Sequence, residues 1–235
     1  MTYDRVCPGY FISRPNRFVA WVEISGKVEK CHVKNTGRCK ELLTKRAQVY
    51  VQQSDNPSRK TKYDIIAVKK GDFLINMDAQ APNRAAEEWL KAGGLLSHPT
   101  QVRREVPYGK SRLDFYLETI EKKVFIEVKG VTLEENGVAR FPDAPTQRGI
   151  KHIQELCRCA EEGYEAVALF VIQMKGVHSM TPNWDTHPEF GYALQEAQRK
   201  GVRILAMDCE VTPDSMVISR EIPFVWRLLL EKISS

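Results

Sequence analysis

Three charged residues stand out by type and spacing: Asp114 in Arg112-Leu-Asp-Phe-Tyr-Leu117, then Glu127 and Lys129 in Val124-Phe-Ile-Glu-Val-Lys-Gly130. Both runs are rich in β-branched and aromatic residues, and the second is closed by a glycine, so both read as strands. Side chains alternate along a strand, which puts Glu127 and Lys129 on one face about 7 Å apart. Val124, Ile126 and Val128 take the other face. If the two strands form a hairpin about the turn at Glu121-Lys122-Lys123, Asp114 can lie beside Glu127. Two carboxylates and an ammonium on one sheet face need compensation, because an unpaired buried charge costs several kcal/mol. A hard divalent cation supplies it: Mg2+ typically takes one or two carboxylates and completes its shell with water and phosphate oxygens. Such a site serves phosphodiester chemistry, with Lys129 near the attacking water or the phosphate.

The competing interpretation is a Glu127–Lys129 ion pair on an exposed face. Glu-x-Lys alone is a weak signal, since Glu121-Lys122-Lys123 matches it within a turn. The upstream Asp114 on a neighbouring strand is what raises the specificity. If the carboxylates do face one another, each should raise the other's pKa and the metal-free site should be strained.

These residues must be positioned by a chain of 235 residues, enough for one large or two small domains. At 43% hydrophobic it can bury a sizeable core. No segment approaches the run of about 18 apolar residues that would span a membrane. The stretch Met1-Thr-Tyr-Asp-Arg5 carries no apolar signal region, which makes a cytoplasmic location the expectation. The six cysteines form no CxxC pair and have no metal-ligand spacing with histidine, so reduced, partly buried thiols are expected. Charge is uneven: residues 1–80 hold 15 Lys/Arg against 8 Asp/Glu, while the other 155 hold 20 against 22. A basic excess confined to the first third suits a polyanionic partner.

That first third reads as short strands at 17–24, 27–33, 47–53, 63–69 and 72–76, with a short helix near 39–43 and a loop over 54–62. About five closely spaced strands predict an OB-like β-barrel, an architecture that commonly binds oligonucleotides. Phe18, Trp21, Tyr50 and Tyr63 interleave with cations, among them Arg17, Lys34 and Arg38, as stacking and phosphate tracking by a nucleic-acid binder require. Aromatic residues in strands also serve as core. An oligosaccharide- or small-molecule-binding barrel would explain the aromatic residues too, but not the basic excess. Composition shifts near residue 80, dividing the chain into a barrel over 1–80 and an α/β domain over 81–235. The second part reads as a helix from Ala81 to the Gly93-Gly94 stop, a strand at 101–106, the two site strands, and a helix from about Pro145 to Glu162. A strand at 165–172, a loop holding His178 and His187, a helix at about 192–200 and a strand at 202–207 follow. A short closing helix is expected over 226–233. The helix near 145–162 carries an apolar stripe at Ile150, Ile153, Cys157 and Ala160, with Arg148, Lys151 and His152 on or beside the opposite face.

Helix, hairpin carrying Asp then Glu-x-Lys, and crossover helix together resemble the core of the PD-(D/E)xK nucleases. Specific strings narrow the resemblance: His32-Val-Lys-Asn-Thr-Gly37, Tyr108-Gly-x-Ser-Arg-x-Asp-Phe115, Ile126-Glu-Val-Lys-x-Val-Thr-Leu133 and Phe141-Pro-Asp-Ala-x-Thr-x-Arg-Gly-x-Lys-His152 are similar to the sugar fermentation stimulation protein A (SfsA) family. The chain departs from that family's usual pattern at Cys39, Pro145 and Gln147, none of which touches the proposed metal site. The resemblance implies an OB-like domain joined to a nuclease-like α/β domain, DNA as partner, and a link to sugar (maltose) utilisation. It implies a site of Asp114, Glu127 and Lys129 holding Mg2+ or Mn2+, with Glu88 as an additional acid from the first helix. Arg148, Lys151 and His152 would then meet the DNA backbone. Two functions follow: a Mg2+-dependent DNA nuclease, or a non-catalytic DNA-binding regulator that keeps the nuclease fold. Sequence specificity is expected to be weak, since no helix-turn-helix frame is visible and stacking on a barrel tolerates most bases.

Overall fold

A computed structural model describes residues 1–35, 37, 39–109 and 111–227. The first strands are β1 (Val6–Asn16), β2 (Val19–Ile24), β3 (Lys27–Val33), β4 (Gln48–Gln53), β5 (Tyr63–Lys70) and β6 (Phe73–Asn76). β1 pairs antiparallel with both β2 and β4, β4 pairs with β5, and parallel pairing of β3 with β5 closes a five-stranded barrel. β6 extends the sheet beyond β5. The expected OB-like barrel is present, with β1 as an additional first strand that the sequence pattern does not predict. Pro8, Gly9 and Pro15 interrupt the β1 run, and proline lowers strand propensity because it cannot donate to the ladder. Residues 40–43 form turns rather than a helix.

The α/β part follows with α1 (Ala81–Lys91), β7 (Gln101–Tyr108), β8 (Ser111–Glu118), β9 (Lys123–Val131), β10 (Leu133–Glu135), β11 (Val138–Phe141), α2 (Gln147–Glu161), β12 (Glu165–Ile172), β13 (Ser179–Pro182), α3 (Pro188–Arg199), β14 (Arg203–Thr212) and β15 (Ser215–Glu221). A six-stranded sheet runs β15-β14-β12-β9-β8-β7. β12 is parallel to β9 and β14, and β7, β8 and β9 form an antiparallel meander. One sheet face packs under α1 through Ala85, Ala86 and Leu90 against Phe115, Ile126 and Leu169. The other packs under α2 and α3, where Ile153, Leu156 and Leu194 join Phe170. β10, β11 and β13 make a small separate sheet. β13 lies within the stretch expected to be loop; its Ser-Met-Thr-Pro sequence is too short to show alternation. α3 begins at Pro188, earlier than expected, and β15 is a further strand beyond the expected elements. The end of the expected closing helix lies outside the described residues; Trp226 and Arg227 form a bend.

The two parts are fused rather than strung together. One apolar cluster runs from Phe11 and Val49 in the barrel to Phe170 and Leu194 in the α/β part. Lys70 Nζ bonds Glu134 Oε2 at 2.7 Å. Buried Gln173 donates to the carbonyls of Asn76 and Asp78 at 2.9 and 3.2 Å, while its own carbonyl accepts from the Asn76 amide at 2.9 Å. The chain start, grouped with the barrel by composition, lies on the α/β part: Thr2 bridges Ser215 and the Met1 ammonium donates to the Met216 carbonyl at 2.9 Å.

Candidate functional site

Antiparallel pairing of β8 with β9 runs from Glu118 and Lys123 to Phe115 and Ile126. One step further along this register stand Asp114 and Glu127, and here the strands part. Asp114 fills the gap with its side chain, accepting from the Val128 amide at 2.8 Å and from Asn83 Nδ2 on α1 at 2.9 Å. Strand alternation points Glu127 toward α2, where it is buried at 2% exposure. Its Oε1 accepts from Lys129 Nζ at 2.6 Å and pairs with His152 Nδ1 on α2. Its Oε2 is buried with no hydrogen-bond partner. Thr146 caps α2 by accepting from the Gly149 amide at 3.0 Å, and this cap starts the helix beside the sheet end. Buried His187 accepts from the Thr146 amide at 3.4 Å and so helps to fix that start.

A cleft of about 650 Å³ opens over these groups. Asp114, Glu127 and Lys129 line it, together with the cations Arg112, Arg148 and Lys151 and the α1 residue Asn83. Burial, and next the negative charge of Glu127, push the Asp114 carboxyl up from the usual aspartate range. Glu127 behaves the other way. Burial alone would raise it, but the His152 hydrogen bond and the Lys129 ammonium outweigh that and hold it low. The mutual rise expected of two neighbouring carboxylates therefore holds for Asp114 only. The unpartnered Glu127 Oε2 and the high-lying Asp114 make a donor set that a hard cation would fit, since magnesium needs only one or two carboxylates. Among the described residues no three His, Cys, Asp or Glu side chains gather as a ready-made cage.

Asp114, Glu127, Lys129, Arg148, Lys151 and His152 thus come together at the cleft, and other expected members do not. Glu88 pairs with the Met1 ammonium at 2.6 Å, and its place in the expected constellation on α1 is held by Asn83. The reason is helical: at 3.6 residues per turn, five positions rotate a side chain by roughly 140°, so Asn83 and Glu88 cannot share a face. His152 lines the cleft too, but it is largely buried against Glu127 and serves as a carboxylate partner rather than as an exposed helix-face cation. Lys34 is tied to fully buried Asp78 at 2.6 Å. Arg17 stacks on Phe18, 4.9 Å from the ring centroid, and does not line the cleft. Arg38 lies outside the described residues. Phe18 and Trp21 are exposed on the barrel, whereas Tyr63 is core. All six cysteines are free thiols, five of them buried.

The sequence matches the family model described as the sugar fermentation stimulation protein RE domain over residues 80–215, and the SfsA N-terminal OB domain over residues 12–77. The chain belongs to the SfsA family. It is 56% identical over 218 residues to a sugar fermentation stimulation protein homolog of Clostridium beijerinckii, covering 93% of this chain and 96% of that one. A homolog from Ruminiclostridium cellulolyticum is also 56% identical, over 222 residues, covering 94% and 98%. The same SfsA architecture recurs in the structure of Pyrococcus furiosus SfsA in complex with Ca2+, with TM-score 0.86, 28% identity and coverage of 96% and 98%. No helix among the described residues is long and apolar enough to cross a membrane.

Proposed function

We propose that this SfsA protein is a divalent-metal-dependent DNA phosphodiesterase. The observation that carries this reading is the placing of Asp114 and Glu127 in one cleft at the parted end of β8 and β9, with Lys129 beside Glu127 and one buried carboxylate oxygen unpartnered. Asp114 and Glu127 would hold Mg2+ or Mn2+, which supplies Lewis-acid polarisation of a phosphate oxygen and a bound water of lowered pKa. His152 and Lys129 fix the Glu127 carboxylate through Oε1 and leave its other oxygen without a partner. Lys129 offers a point charge to phosphate oxygens as negative charge builds there. Arg112, Arg148 and Lys151 ring the cleft with cations that suit a DNA backbone, so the anionic strand is drawn over the carboxylates rather than repelled by them. That the Pyrococcus furiosus relative was solved with Ca2+, another hard cation, supports the same class of ligand here.

One observation favours the alternative, a non-catalytic DNA-binding regulator of sugar utilisation. Lys129 and His152 already compensate Glu127 within the protein, so the fold does not require a metal to tolerate that charge. The names of the relatives accord with either function. Incubation of the pure protein with single- and double-stranded DNA, with and without Mg2+ or Mn2+, separates the two. Metal-dependent cleavage that is lost in Asp114→Asn is expected; binding without cleavage on every DNA form would favour the regulator.

A further inference from the structure

Two sequence motifs have no part in the carboxylate site: the Asn35 to Gly37 stretch of the barrel and Phe141-Pro-Asp-Ala144 between β11 and α2. The fold brings them face to face. A side-chain carbon on Gly37 would stand 2.6 Å from Asp143 Oδ2, so Gly37 abuts that aspartate with its backbone. Gly37 is tied to Asn35, which donates to the Met77 carbonyl at 3.0 Å and accepts from the Gly37 amide at 2.7 Å. Between these motifs lies a pocket of about 350 Å³. It is continuous with the carboxylate cleft, because Ala79, Pro82, Gly130 and Thr146 line both. Gly130 forms a floor where any side chain would strike Pro82 at 2.6 Å.

We infer that this annex receives one unpaired nucleobase next to the phosphate held in the cleft, with Asp143 reading the base and favouring guanine. The inference rests on the DNA reading proposed above. The volume lies near the lower end of small-ligand pockets, roughly 300–1,000 Å³, which suits one nucleoside and not a duplex. Its charge differs from that of the cleft. Asp143 is exposed and has no hydrogen-bond or ion-pair partner among the described residues, while the neighbouring Arg140 is held by Glu135 at 3.0 Å. An open carboxylate repels a phosphate but accepts from N–H donors on a base edge. Guanine presents N1–H and the N2 amine side by side and can satisfy both carboxylate oxygens. Adenine and cytosine offer one exocyclic amine, and thymine one ring N–H. A base enters such a pocket only when it is out of the stack, as in single strands or extruded nucleotides.

The test is fluorescence anisotropy with labelled 12-mer single strands in Ca2+: all thymine, one central guanine, or one central adenine. Wild type should bind the guanine strand about tenfold more tightly than the thymine strand, near the lower end for one bidentate base contact. Asp143→Asn should erase that preference, and a guanine already paired in a blunt duplex should confer none. Equal affinity for all three strands, or a guanine preference surviving in Asp143→Asn, would overturn the inference while leaving the nuclease reading intact. No binding to any DNA would overturn both. Because Asp143 is exposed, a matching melting curve for the variant excludes misfolding as the cause.

Discussion

Conservative neutralisation of the two site carboxylates should have unequal effects on stability. Glu127→Gln removes the anion that Lys129 and His152 share, and those side chains are only 13% and 11% exposed. Breaking a buried ion pair from one side typically costs 3–5 kcal/mol; the glutamine carbonyl can still accept one hydrogen bond, so about 3 kcal/mol is expected. For a protein of this size each kcal/mol moves Tm by roughly 2–4 °C, giving a fall of about 6–12 °C. Asp114→Asn is different. Its carboxylate is disfavoured by burial and by Glu127, and an amide can still accept from Val128 while Asn83 turns to meet the new NH2. Its effect should lie within about 1 kcal/mol of zero, as for substitutions without a strongly destabilising mechanism. Thermal unfolding by circular dichroism in EDTA at neutral pH measures both. The pH dependence follows. Glu127, held low in the folded state, contributes stability present above the ordinary glutamate pKa and lost as pH falls through its depressed folded value, so wild type and Glu127→Gln should converge in acid. Asp114, raised by folding, has the opposite slope: it favours the fold most below its ordinary pKa and loses that advantage as pH rises through the raised value. If Glu127→Gln stabilises the metal-free protein, or Asp114→Asn is the more damaging change, this account of the site electrostatics is wrong.

Millimolar Mg2+ or Mn2+ should raise the Tm of wild type, by about 2.7 kcal/mol of stabilisation at a hundredfold excess over Kd, and leave Asp114→Asn unmoved in the same scan. Lys129→Ala should slow cleavage by about 10²–10³, the range for removing one group that stabilises transition-state charge, in single-turnover assays at saturating protein. Arg148→Ala and Lys151→Ala should each weaken DNA binding without regard to sequence and reduce the slope of log K against log salt by about 1; slopes unchanged in both variants would remove these residues from the DNA path.

Legibility followed the range of the forces involved. Asp114, Glu127 and Lys129 could be placed together because strand alternation and a hairpin turn are local rules, and the register carried them to the same end of the sheet. The α1 boundary was legible from its glycine stop. His152 was not, since helix periodicity set it beside the exposed face and only the seating of α2 over β9 decides that it is buried on Glu127. Asn83 stands in the Pro82-Asn83 start of α1, but its amide is not the acidic side chain that metal chemistry leads one to expect there. The basic excess of the first 80 residues pointed to the barrel, whereas the cations around the cleft (Arg112, Lys129, Arg148 and Lys151) come from the half with a net negative balance. Net charge counts residues and does not see which of them a fold gathers.

The seam between barrel and α/β body has a consequence for how such a protein can change over evolutionary time. Severing the chain at Gln80 would leave Gln173 without the carbonyls of Asn76 and Asp78, strip Glu134 of Lys70, and expose the shared apolar cluster to water. Neither half is then a portable cassette, and heating should melt both in a single cooperative transition by calorimetry. The first three residues tighten the bond, since they stitch the start of the chain to β15 at the far end of the sequence. Recombination that exchanges one half for a foreign partner therefore breaks a folding unit, and the two must be inherited, and must diverge, as a pair.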